Sequence, residues 1–155
     1  MTIELDFDTD RSLVELGAAL PEPDAYADHH AGMLYKLCTM PLRKLAPGHL
    51  LALARENVAL PCVAPLALAR LEQDPFLEAG EHPGDLLTAL LQADPAFWGA
   101  HRTLWEQTLI LAAEVVTDMN ARMAEGGLGD YLPHFAGDDF VEALLHFRNL
   151  HEVDR

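Results

Sequence analysis

Ala59-Leu60-Pro61-Cys62-Val63-Ala64-Pro65-Leu66-Ala67-Leu68-Ala69-Arg70-Leu71-Glu72-Gln73-Asp74-Pro75 is the stretch that decides the fold class. Pro61 suits the first turn of a helix, where an N–H has no intrahelical partner and a φ near −65° is already set. Pro65 is read into the same first turn, where a missing N–H costs little. Val63 to Ala69 carry no polar side chain on any face, and a helix apolar all round is a buried one. Polarity returns at Arg70, Glu72 and Gln73. Asp74-Pro75 then ends the helix, because a residue before proline avoids the α region.

The same punctuation extends in both directions. Upstream, Pro47 opens a helix expected to reach Val58, with Leu50, Leu53, Ala54 and Val58 on one side. Pro41 starts a loop through Leu42-Arg43-Lys44-Leu45, preceded by a helix over Ala31 to Leu37. Pro21 and Pro23 stop a short helix from Arg11 to Leu20, for which Asp10 is the expected cap. Ile3, Leu5 and Phe7 alternate with Glu4, Asp6 and Asp8, the pattern of a short edge strand or a loose arm.

Downstream, Phe76 to Pro83 reads as a loop. Gly84-Asp85 begins a helix with Leu86, Leu87, Leu90 and Leu91 as its apolar face, and Asp94-Pro95 introduces a turn holding Phe97 and Trp98. The longest helix is expected from Arg102 to Glu125, with a stripe of Trp105, Leu109, Ala112, Val116, Met119 and Met123. Gly126-Gly127 ends it. A turn-rich stretch leads to a last helix capped by Asp138, with Phe140, Leu144, Phe147, Val141 and Leu145 assigned to its buried side. The expectation is an all-α single domain over residues 1–155, of about six helices, with room for a short N-terminal strand.

Composition narrows what such a domain can do. The chain has 155 residues, half of them hydrophobic, enough for a core without staples. It carries 25 acids against 10 bases, a formal charge of −15. That field repels nucleic acid and anionic membranes and attracts basic partners. The charge is uneven: residues 1–34 hold eight acids and one base, residues 35–58 one acid and four bases, and residues 72–142 fourteen acids and two bases. Met1 to Asp6 lack the layout of a signal peptide, and no apolar run is long enough for a membrane span, so a cytoplasmic location is expected. Cys38 and Cys62 lie among apolar residues and read as reduced thiols.

Catalytic signatures are missing from the pattern. His29 and His30 are adjacent, His82 and Asp85 are separated by Pro-Gly, and His146 and His151 are five apart, none of which is a metal-ligand spacing. Ser12, in a presumed surface helix, is the one serine and has no nucleophile signature around it. Asp138 and Asp139 more simply serve a helix N-terminus than acid–base chemistry. No catalytic residue, metal or cofactor is therefore expected.

Residues 42–98 resemble a known family. The order is Leu42-Arg43-Lys44-Leu45, an amphipathic helix, Leu60-Pro61-Cys62-Val63-Ala64-Pro65-Leu66-Ala67, Leu71, Asp74-Pro75, a short acidic loop, Pro83-Gly84-Asp85-Leu86-Leu87 and Phe97-Trp98. It is similar to the immunity proteins of bacterial contact-dependent growth inhibition (CDI) systems. The family often has a Gly-Asp pair where this chain has Ala79-Gly80-Glu81-His82, and a Gly-Gln pair where it has Arg55-Glu56-Asn57. The resemblance implies a cytoplasmic protein that binds the C-terminal toxin domain of an exported effector, in many cases a nuclease.

The motif residues suit a scaffold, which leaves recognition to acidic surface. The expected toxin contacts are Glu72, Asp74, Glu78 and Glu81, with Asp130, Asp138 and Asp139 as a second cluster, set against a basic groove on the toxin. The competing reading is a helical adaptor that takes a peptide or partner in an apolar groove, which would show little acidic clustering nearby. A small metal or hydrolytic enzyme is the third, and would need His29, His82 or His134 gathered with carboxylates.

Overall fold

The computed structural model describes residues 3–18, 20, 29–80, 83–124 and 138–151. Seven α-helices run through them: α1 His29–Cys38, α2 Pro47–Arg55, α3 Leu60–Gln73, α4 Asp85–Leu91, α5 Pro95–Ala100, α6 Arg102–Ala124 and α7 Asp138–Arg148. Short 3-10 turns cover Leu42–Lys44 and Asn149–His151. The described residues contain no strand, only an isolated antiparallel bridge between Glu78 and Pro83. The fold is all-α, and α2, α3 and α5 each carry a proline in the first turn.

The N-terminal arm departs from its expected form. Its alternation is real: Ile3 is buried and Leu5 and Phe7 half-buried, while Glu4, Asp6 and Asp8 are exposed. The apolar side packs on the helical core instead of completing a sheet. Nor is the arm loose. The Ile3 N–H donates to the Glu72 carboxylate at the end of α3. The carbonyls of Thr9 and Arg11 accept from the N–H groups of Arg43 and Leu42 at 2.9 and 3.0 Å, and Arg43 pairs with Asp10 at 2.6 Å.

The helix expected over Arg11 to Leu20 is a single capped turn. Ser12 Oγ accepts from the Glu15 N–H (3.1 Å), and Glu15 Oε1 accepts from the Ser12 N–H (3.4 Å). That reciprocal pair is a capping box, so Ser12 takes the role expected of Asp10. Ser12 is buried, not on the surface. Gly17 at φ 73° turns the chain out of the helical direction, and Ala18 N–H closes back on the Leu13 carbonyl at 3.1 Å.

α2 ends three residues before Val58, for a local reason. Asn57 adopts φ 55°, its N–H bonds the Ala54 carbonyl (3.1 Å), and the Val58 N–H bonds the Leu53 carbonyl (3.0 Å). These are the two bonds of a Schellman motif, with Asn in the left-handed position and buried Leu53 and Val58 as its apolar contact. Pro61 sits in the first turn of α3 as expected, but Pro65 lies inside the helix. Pro65 therefore leaves the Pro61 carbonyl without its usual i+4 donor.

α3 shares the centre with α4. Every residue of α4 except Thr88 is buried, so this short helix is enclosed on all sides, not on one leucine face. It packs against α2, α3 and α7. An aromatic cluster ties the C-terminal helices to this centre. Phe147 of α7 meets Trp98 of α5 edge-on at 4.9 Å and lies 6.1 Å from Trp105 of α6. Each indole N–H is satisfied: Trp98 donates to the Leu90 carbonyl (3.1 Å) and Trp105 to the Phe147 carbonyl (2.9 Å).

Two helix faces differ in part from expectation. The buried stripe of α6 is Trp105, Thr108, Leu111, Ala112, Val115 and Met119, while Leu109 and Val116 are half-buried. On α7 the buried residues are Phe140, Ala143 and Phe147; Val141 and Leu145 are 47% and 52% exposed. Trp105, Ala112, Met119, Phe140 and Phe147 hold their expected places, while Thr108, Leu111, Val115 and Ala143 take the interior beside them.

Candidate functional site

The acids expected to form a surface divide into inward and outward sets. Glu72 is half-buried, and its carboxylate is occupied by the Ile3 N–H. Asp74 caps the end of α3 with an exposed side chain, while its carbonyl accepts from the Leu77 N–H at 3.1 Å. Glu78 is exposed on the following loop. Glu81 and Asp130 lie outside the described residues, as do the side chains of Asp138 and Asp139, whose backbone begins α7. Glu72, Asp74 and Glu78 thus share one segment leaving α3; the second cluster is not placed by described side chains.

The loop bearing Glu78 is held from several directions. Asp85, only 2% exposed, accepts the N–H groups of Ala79 on Oδ1 (2.8 Å) and Gly80 on Oδ2 (2.9 Å). The Gly84 N–H donates to the Leu77 carbonyl at 3.3 Å. Below the loop, a Cβ on Gly48 would stand 2.9 Å from the Ala79 carbonyl oxygen, so only glycine lets α2 approach this closely. A Cβ on Gly80 would lie 3.2 Å from Leu51.

The arm adds acids that were not among the expected contacts. Tied at Ile3 to Glu72, it presents Glu4 and Asp6 to solvent, with Asp8 and Asp10 exposed beside their partners Arg11 and Arg43. Asp6 comes near enough to α3 to reinforce the main effect of burial, which pushes the Cys62 thiol up. The fold therefore joins the acidic N-terminus to the acidic segment after α3. The alternation of Ile3, Leu5 and Phe7 was the available signal, since it fixed which side of the arm faces outward.

Large apolar side chains exposed among the described residues are Val14, Met33, Tyr35, Ile110, Val141 and Leu145. Val141 and Leu145 are one turn apart and exposed, but Glu142 is exposed beside them. Among the described residues no group of three or more His, Cys, Asp or Glu could hold a metal ion. The side chains of His29, His82 and His134 lie outside the described residues. Burial pushes the Cys38 thiol up as well, which disfavours the thiolate needed for nucleophilic chemistry. No helix among the described residues is long and apolar enough to cross a membrane.

A protein-family model described as CDI immunity proteins matches residues 16–108, more than half of the 155-residue chain. The match extends the resemblance of residues 42–98 on both sides, from the capped N-terminal turn into α6. No curated protein matches the chain, and no solved structure does.

Proposed function

Because the chain belongs to the family of CDI immunity proteins, we propose that it neutralises a basic nuclease toxin by laying an acidic surface over or beside the substrate groove. Toxin-neutralising immunity is the function that the family implies, and in this reading it is exerted by binding, without turnover. The finer reading is carried by one observation: Asp74 and Glu78 face solvent on the segment after α3, and the docked arm adds exposed Glu4 and Asp6. A nuclease groove is shaped to hold phosphates, so it presents cations that such carboxylates can replace. Long-range attraction would speed encounter, and apolar and hydrogen-bonded contacts would set the lifetime.

In this reading residues 1–155 make one binding domain that acts in the cytoplasm of the producing cell, without catalytic residue or cofactor. Glu72 serves by docking the arm. Asp130, Asp138 and Asp139, with Glu81, remain further candidate contacts. The test is association with the toxin domain encoded beside the gene, compared with the double charge reversal Asp74→Lys, Glu78→Lys. Association should slow by about tenfold or more at low salt, with the helical signal retained. An unchanged rate in that variant and in reversals of Asp138 and Asp139 would remove the electrostatic reading.

A further inference from the structure

We propose that Asp85 is a positioning residue for toxin recognition, holding the Leu77–Gly80 loop in its bound shape before the partner arrives; the inference rests on the binding role above. Asp85 opens the enclosed helix α4, yet its carboxylate serves a neighbouring loop. Both oxygens are used, on the consecutive N–H groups of Ala79 and Gly80. A carboxylate that is 2% exposed is costly unless its lone pairs are satisfied. Spending it on two loop amides fixes a segment that has no helix or strand to order it.

The other constraints act on the same residues. Gly48 admits the Ala79 carbonyl, Leu51 meets the space over Gly80, and the Leu77 carbonyl is tied to the Gly84 N–H. The exposed Glu78 is the one side chain of this short loop that stands clear of these constraints. A loop ordered in the free protein does not lose its conformational freedom on binding, which favours a long-lived complex. Asp85→Asn would leave one carbonyl oxygen for two N–H donors and turn an NH2 group toward one of them.

The experiment measures association and dissociation of the toxin domain encoded beside the gene, using the full chain and the variants Asp85→Asn, Gly48→Ala and Glu78→Lys. Amide exchange at Ala79 and Gly80 is followed in the free proteins. Gly48→Ala pushes on the Ala79 carbonyl from the opposite side and leaves every charge in place. Both loop variants should accelerate exchange at Ala79 and Gly80 and raise the dissociation rate about tenfold, with association changed less than about twofold. Combined, they should give less than the product of their effects, since both release one loop. Faster exchange with unchanged dissociation overturns the proposal, and if Asp85→Asn fails to fold, Gly48→Ala alone decides it. Unchanged binding by Glu78→Lys removes the loop as a contact and overturns it too, whereas loss with Glu78→Lys but not with the loop variants leaves the acidic reading standing without it. Absence of any wild-type complex overturns both.

Discussion

Phe147→Ala should destabilise the protein by about 4 kcal/mol, although residue 147 lies well beyond the family-matched segment. Phe147 is fully buried and fills the space between Trp98 and Trp105. Truncation of a buried Phe to Ala costs about 3–5 kcal/mol through lost transfer energy and the cavity left behind. The edge-on contact with Trp98, a kind worth roughly 0.5–1.5 kcal/mol, keeps this site from the low end of that range. The Trp105 indole bonds the backbone carbonyl of residue 147, which survives the substitution, so the loss reports packing. For a chain of this size the melting temperature should fall by about 8–16 °C. Urea unfolding followed by tryptophan fluorescence is the assay, because both indoles border the new cavity. Val141→Ala and Leu145→Ala are the controls and should each stay within about 0.5 kcal/mol. A Phe147→Ala loss below about 1 kcal/mol at unchanged m-value would refute the packing of α7 into the common core.

Ser12→Ala should cost about 1 kcal/mol in the same unfolding assay, through loss of the capping bond to the Glu15 N–H. Glu72→Ala should speed amide exchange at Ile3 and loosen the arm, whereas Asp74→Ala should leave that amide unchanged. Alkylation of the half-buried Cys62 should reach half its limiting rate above the ordinary thiol value of 9.0, since burial raises it and Asp6 adds to the effect, whereas fully buried Cys38 should react only through opening. As the unfolded thiols ionise first, stability from these groups is complete below the ordinary thiol value and declines as pH rises past it, which unfolding midpoints between about pH 7 and pH 10 should show.

The order of the helices is legible because prolines and glycines act locally. Pro47, Pro61 and Pro95 each stand in the first turn of a helix. Orientation is less legible, because it is fixed by partners far along the chain. Phe140 and Phe147 were legible as buried, but nothing near residue 141 reveals that Ala143 fills the interior between them and leaves Val141 and Leu145 to solvent. The enclosure of α4 escapes for the same reason, since a leucine face does not tell how many neighbours it meets. The Ser12–Glu15 spacing was a readable capping box overshadowed by Asp10.

The acids show the limit most clearly. Glu72, Asp74, Glu78 and Asp85 look alike in a charge count. Two of them serve as fasteners: Glu72 for the arm and Asp85 for the loop. Only the fold separates those from Asp74 and Glu78, which face outward, and only the Ile3–Glu72 bond ties the acidic arm to the end of α3.

An antidote that works by binding must silence its toxin in proportion to the complex formed. The decisive measurement is a titration of this protein into the toxin domain encoded beside its gene, with toxin activity and complex formation recorded together. Toxin activity should vanish at one equivalent, with an association rate that falls as salt is raised. Full toxin activity in the presence of excess protein, with no complex formed, would contradict it.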